Sequence, residues 1–123
     1  HPFYPYSGLE GGDYMVNIPL PASTSGKLVR EMISKIWIPR LQEFKPQLIM
    51  ISAGFDAHLG DPLGQLNYTD EGYGVVAEIL QDISKKYADG RTLYMLEGGY
   101  NADNVSQSVQ KILNVLISTI IDN

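Results

Sequence analysis

Apolar positions along this chain recur with two different periods, and the change of period marks out its elements. Residues 14–19, Tyr14-Met15-Val16-Asn17-Ile18-Pro19, show the β-branched alternation of a short strand, closed by Pro21. Ser23, Thr24 and Ser25 then offer N-caps for a helix. Leu28, Met32, Ile33, Ile36, Trp37, Leu41 and Phe44 follow at three- to four-residue spacing, which makes one apolar helix face. Pro39 falls inside that face and predicts a kink or a split, and Pro46 marks its end. Residues 47–53 contain Leu48-Ile49-Met50-Ile51, an unbroken apolar run suited to a buried strand.

After a long loop over residues 54–68, Thr69 caps a second helix whose first turn carries Asp70 and Glu71. Val75, Val76, Ile79, Leu80, Ile83 and Tyr87 form its apolar face, and Asp89-Gly90 stops it. Thr92-Leu93-Tyr94-Met95-Leu96 predicts a third strand, followed by the loop Glu97-Gly98-Gly99-Tyr100-Asn101. The last helix carries Val105, Val109, Ile112, Leu113, Leu116, Ile117 and Ile120 on one side. Strand and helix alternating in this way predict an α/β fold with a parallel sheet. Ligands in such sheets gather beyond the carboxyl ends of the strands, so both unusual loops should share one rim.

Composition narrows the possibilities. A chain of 123 residues holds one domain with one modest core. No window has the roughly 18 uninterrupted apolar residues of a membrane span, and the opening residues carry no basic-then-apolar signal. With no cysteine, a disulfide framework, a thiolate metal site and a thiol nucleophile are all excluded. A net charge of −5 and the lack of a Lys/Arg cluster disfavour nucleic-acid binding. A cytoplasmic location fits this composition, or a nuclear one if the source is eukaryotic. The chain opens on His1-Pro2-Phe3-Tyr4-Pro5 without an initiator Met, as a processed chain or a portion of a longer one does.

Within the stretch "SAGFDAHLGDPLG", Asp56 has a plain reading as a turn cap beside Gly54. Its place just past an apolar strand, on the expected ligand rim, suits a carboxylate that holds a cation or orients a base. Asp56-Ala57-His58 has the form of a two-ligand clip, but one Asp and one His make at most half of a zinc site. The plainer reading of His58 is a ring packed in the loop and hydrogen-bonded to main chain, and that of Asp61 is a turn. Tyr100 follows two glycines that let a ligand approach the backbone, and its phenol is a neutral donor for a developing oxyanion. Alternatively it packs on the rim while Asn101 or Asp103 caps the final helix. Gly98-Gly99 lacks the spacing of a phosphate-binding loop.

"KPQLIMISAGFDAHLGDPLGQLNYT" followed by "LYMLEGGYN" resembles the histone deacetylase superfamily, in its class II and bacterial deacetylase-like branch. Acetylpolyamine amidohydrolases and acetoin-utilisation proteins belong to the same superfamily. "HPFYPYSG" is similar to the family's His…Phe-Tyr-Pro-Gly-Thr-Gly segment, with Tyr6-Ser7 in place of Gly-Thr. The resemblance covers nearly the whole chain. It implies a three-layer α/β/α parallel sheet of the arginase/deacetylase type, of which residues 1–123 would be the carboxyl-terminal three βα units of one catalytic domain. It further implies Zn2+ chemistry, in which zinc and a general-base His activate water against an N-acyl carbonyl.

Carried over residue by residue, the resemblance makes Asp56 a zinc ligand and Tyr100 the phenol that hydrogen-bonds the carbonyl oxygen. Gly98 and Gly99 would line the acyl-lysine channel, with Leu63 and Tyr4 as further walls. His58 is not the family's ligating histidine. The paired histidines and the Asp-x-His ligands of the family lie upstream of anything in this sequence. The expected parent is therefore a zinc-dependent amidohydrolase of acetyl-lysine or a small acetylated amine, and the chain by itself is expected to be inactive. Two other readings stand beside it. In a receiver-like signalling domain Asp56 would accept phosphate, though no Lys follows the third strand. A non-catalytic fragment would associate with itself through bare strand edges.

Overall fold

The structure is a computed structural model that describes residues 6–121. Its elements are α1 (Gly26–Met32), a π-helical turn (Ile33–Trp37), α2 (Ile38–Phe44), β1 (Ile49–Ala53), α3 (Asp70–Tyr87), β2 (Thr92–Leu96) and α4 (Ala102–Ile121). Strands β1 and β2 are parallel, in register from Ile49 opposite Thr92 to Ala53 opposite Leu96. Helix α3 is the crossover between them, which makes a βαβ unit.

The expected strand over residues 14–19 does not form, so the described residues hold two βα units where three were expected. Gly12 and Met15 instead bond each other across a turn, N to O at 2.9 and 3.2 Å. Side chains of the first helical segment occupy the neighbouring backbone acceptors: Trp37 Nε1 donates to Val16 O at 3.2 Å and Arg40 donates to Asp13 O. β-propensity expresses itself only where a sheet edge is at hand, and none reaches this segment.

Pro39 splits the first helix as expected. The five residues before α2 widen to a π-turn, which relieves the missing N–H and the clash of the proline ring with the preceding turn. Lys45 ends α2 in the left-handed region at φ 53°, and its N–H donates to Leu41 O. Ser25 occupies the N-cap position of α1 without a side-chain cap bond, while Thr24 Oγ1 donates to Pro21 O at 2.7 Å. Thr69 caps α3 as its sequence suggests, accepting from Gly72 N–H.

Helix α3 lies between two apolar clusters. On one side Val29, Ile33 and Tyr68 pack with Trp37, Val76 and Ile79. On the other, Phe55, Ala77 and Ile112 pack with Ala53, Tyr94, Val105 and Val109. The second cluster shows which sheet face the helices cover. Paired residues of parallel strands share a face, so Met50, Leu93 and Met95 point the opposite way, where Met50 is 59% and Leu93 46% exposed. No helix among the described residues is long and apolar enough to cross a membrane.

Candidate active site

Beyond the strand ends, β1 and β2 stay zipped together. Glu97 N–H donates to Ala53 O at 3.0 Å and Phe55 N–H donates to Gly98 O at 2.8 Å. Both unusual loops therefore leave one rim side by side, as the alternation of elements predicted. Residues 57–68 then fold back on themselves, with Tyr68 N–H donating to Ala57 O and Leu59 N–H to Tyr68 O. Asn67 N–H reaches Thr24 O at 2.9 Å and pins this loop to the start of α1.

Asp56 sits half-buried where the two loops meet. Its carboxylate lies against Gly98: a Cβ there would stand 2.8 Å from Cγ and Oδ2 and 2.9 Å from Oδ1. Among the described residues no donor hydrogen-bonds that carboxylate. Gly64 touches the same residue through its backbone, since a Cβ at Gly64 would collide with Asp56 O. Gly99 adopts φ 135° with Val105 and Phe55 closing over it, so it too must be glycine.

Tyr100 stands 58% exposed on the second loop. Its N–H donates to Asp61 Oδ2 at 2.8 Å, and Asp61 Oδ1 accepts from Leu63 N–H at 2.8 Å and Gly64 N–H at 2.9 Å. Desolvation pushes the Asp61 carboxyl up, but the amides of Tyr100, Gly64 and Leu63, helped by His58, outweigh it and hold it below the usual carboxylate range. Asn101 completes the tie: Nδ2 donates to Gly60 O, while Oδ1 accepts from Asp103 and Asn104 N–H and caps α4. Tyr73 closes the floor, its hydroxyl donating to Gly54 O at 3.3 Å. Burial, reinforced by the charge of Asp56, raises the Tyr73 pKa, so this phenol stays neutral.

His58 behaves as the plainer reading holds. It is buried, its Nδ1 accepts from Gly60 N–H at 3.0 Å, and its Nε2 faces Asp70 Oδ1 at 3.6 Å. Asp70 in turn accepts from Ser108 Oγ at 2.7 Å, which links this loop to α3 and α4. Leu63 is exposed, with its backbone on the same Asp61 carboxylate as Tyr100. A shallow groove of about 830 Å³ along α4 takes in Gly99, Tyr100, Val105 and Val109. Tyr4 lies outside the described residues. Sequence reasoning saw in Asp61 only a turn; the Asp-Pro-Leu-Gly spacing carried that signal, and no local pattern carried its bond to Tyr100.

Asp56 offers on the rim a carboxylate that no described residue hydrogen-bonds, which fits one ligand position of a zinc site. Among the described residues no three His, Asp or Glu side chains converge on a metal site, so the fit is to a share of such a site and not to a whole one.

A βαβ unit with two tied loops at its carboxyl rim defines an α/β protein that carries Asp56 on one of those loops and Tyr100 on the other. The chain matches the histone deacetylase domain family over residues 1–116 and belongs to that family. It is 36% identical over 108 residues to histone deacetylase 14, chloroplastic, of Arabidopsis thaliana, covering 88% of this chain and 26% of that protein. It is 39% identical over 109 residues to a probable deacetylase of Archaeoglobus fulgidus, covering 83% and 30%. Among solved structures, the HD domain of HDA15 superposes with a TM-score of 0.85 at 34% identity, covering 94% of this chain and 34% of that one. The histone deacetylase Clr3 superposes at 0.84 with 31% identity, covering 95% and 21%. The fold is thus the α/β fold of the deacetylases, and the chain spans between about a fifth and a third of the length of these four relatives. Family membership leaves the receiver-like reading without support.

Proposed function

We propose that this chain is part of a zinc-dependent deacylase that hydrolyses N-acetyl-lysine or a small acetylated amine. The observation that carries the reading is the Asp56 carboxylate, held against Gly98 and hydrogen-bonded by no described residue, with the Tyr100 backbone tied on the adjoining loop. In this reading Asp56 is one zinc ligand, and the other ligands come from outside the described residues. Zinc supplies Lewis acidity toward the acyl carbonyl and a water of lowered pKa. Tyr100 donates its hydroxyl to the carbonyl oxygen and holds the oxyanion as the tetrahedral centre forms. Gly98 and Gly99 keep the rim low enough for an acyl-lysine chain, with Leu63 beside it. Residues 1–123 alone bind zinc weakly and turn nothing over. A cytoplasmic or nuclear location belongs to the same reading, and fractionation of the source cells tests it.

In the full-length protein, Tyr100→Phe should lower kcat by about 10²- to 10³-fold with zinc content unchanged. Turnover at the wild-type rate would remove Tyr100 from the mechanism. Asp56→Ala should strip the metal, and a variant that keeps stoichiometric zinc would overturn the ligand assignment.

A second reading concerns the chain by itself. β1 has no strand on its outer side among the described residues, and a groove of about 1010 Å³ runs along Ile49 to Ala53 opposite Trp37, Leu41 and Phe44. Expressed alone, the chain self-associates through this edge and the open sheet face.

A further inference from the structure

We propose that Asp61 is a positioning residue for Tyr100, a clasp whose one carboxylate sets the backbone of both rim loops and with it the place of the phenol. The inference rests on the role given to Tyr100 above. Asp61 divides its two oxygens between the loops. Oδ1 serves its own loop through Leu63 and Gly64, and Oδ2 crosses 39 positions of sequence to the Tyr100 amide. The Tyr100 ring has no hydrogen-bond partner among the described residues and is more than half exposed, so packing does little to fix it. Its place depends on its backbone.

That backbone needs a tether. The two residues before Tyr100 are glycines, Gly99 at φ 135°, and they form the most permissive hinge the chain can supply. After Tyr100 the chain is held by Asn101, through Gly60 O and the first amides of α4. The Tyr100 amide is therefore the tether between Gly98, whose carbonyl is held by Phe55 N–H, and the capped helix. A carboxylate suits the task because it accepts on both sides at once, with charge-assisted bonds. The asparagine isostere fails it in either orientation. With its oxygen toward Leu63 and Gly64, its NH2 faces the Tyr100 N–H; turned over, its NH2 faces the other two amides.

The test is a double-mutant cycle in the full-length zinc-loaded enzyme. Asp61→Asn should lower kcat by about 10- to 100-fold, with KM and zinc content changed by less than about twofold. In the Tyr100→Phe background the same substitution should cost less than about twofold in kcat, because the group it positions is gone. Wild-type kcat in Asp61→Asn, an equal drop in both backgrounds, or loss of zinc would each overturn the clasp. If Tyr100→Phe itself turns over normally, the role of Tyr100 fails and the clasp falls with it. If Tyr100→Phe is impaired and Asp61→Asn is not, the clasp alone fails. Should Asp61→Asn not fold, amide exchange in the wild-type enzyme decides: the Tyr100 N–H should be as protected as that of Gly64, and exchange at the rate of a free loop overturns the proposal.

Discussion

Asp56 and Gly98 account for each other at the scale of single residues. A carboxylate can lie flat on the second loop only where that loop carries no Cβ, and the nearest approach would be 2.8 Å if it did. Gly98→Ala should therefore swing the Asp56 carboxylate off its present line. In the full-length protein, zinc affinity should fall by about 10- to 100-fold, the usual effect of disturbing what orients a ligand. A competition titration with a chromophoric chelator measures it, and an unchanged Kd would mean that Gly98 does not position Asp56. The sequence marked both residues, because an acidic group past an apolar strand and a Gly-Gly pair past another are local signals. It could not mark their contact. It separated the three polar groups of one loop, reading His58 as packed and Asp61 as a turn, but not their distant partners: His58 faces Asp70, Asp61 reaches Tyr100, and no described residue hydrogen-bonds the Asp56 carboxylate.

At the scale of elements, the loop over residues 54–69 behaves as part of the core. Tyr68 packs with Val29 and Ile33, and Tyr73 stacks obliquely between Tyr68 and Phe55 at centroid distances of 5.4 and 5.0 Å. Burial pushes the Tyr68 pKa to about 12 and raises those of Tyr73 and Tyr94. A phenol held neutral in the fold adds stability below its unfolded pKa of about 10, and that contribution is lost as pH rises toward the folded value. Between about pH 10 and pH 12 the thermal midpoint should fall, and the phenolate absorbance of the buried rings, beyond that of the exposed tyrosines, should rise in step with loss of helical circular dichroism. Phenolate signal from these three rings ahead of unfolding would contradict their burial. Helix faces were legible only in part. α3 buries Ala77, Gln81 and Ser84 as well as Leu80 and Ile83, because it is packed from two sides, and small residues let α4 approach. A single-face periodicity does not report a helix with neighbours on both flanks.

The open sheet face is a property of the whole molecule. A parallel sheet is ordinarily covered on both sides, and here Met50 and Leu93 remain half exposed on one of them. Burying such side chains fully is worth about 1.5–3 kcal/mol each, a strong drive toward any partner that brings a strand or an apolar helix. The isolated chain should scatter light above its monomer mass, and Met50→Lys should return it toward the monomer by placing a charge on that face. A wild-type monomer across the accessible concentration range would show that neither edge nor face is used. Two relatives carry further chain beyond the matched part, since the match spans 26% of one and 30% of the other.

By itself the sequence determined the α/β class, the two parallel strands, the helix that joins them, and the rim on which both loops emerge with Asp56 and Tyr100. Each of these follows from short-range pattern: the period of apolar residues, a capping threonine, a proline, a pair of glycines. Tertiary structure alone decided that residues 14–19 form no strand, that Ser25 caps nothing with its side chain, and that Asp61 ties Tyr100 to the loop of Asp56. The reason is the same in each case. Whether a backbone group joins a ladder, or which carboxylate meets which amide, depends on what the rest of the chain brings alongside. Hydrogen bonds spanning 39 positions leave no local trace.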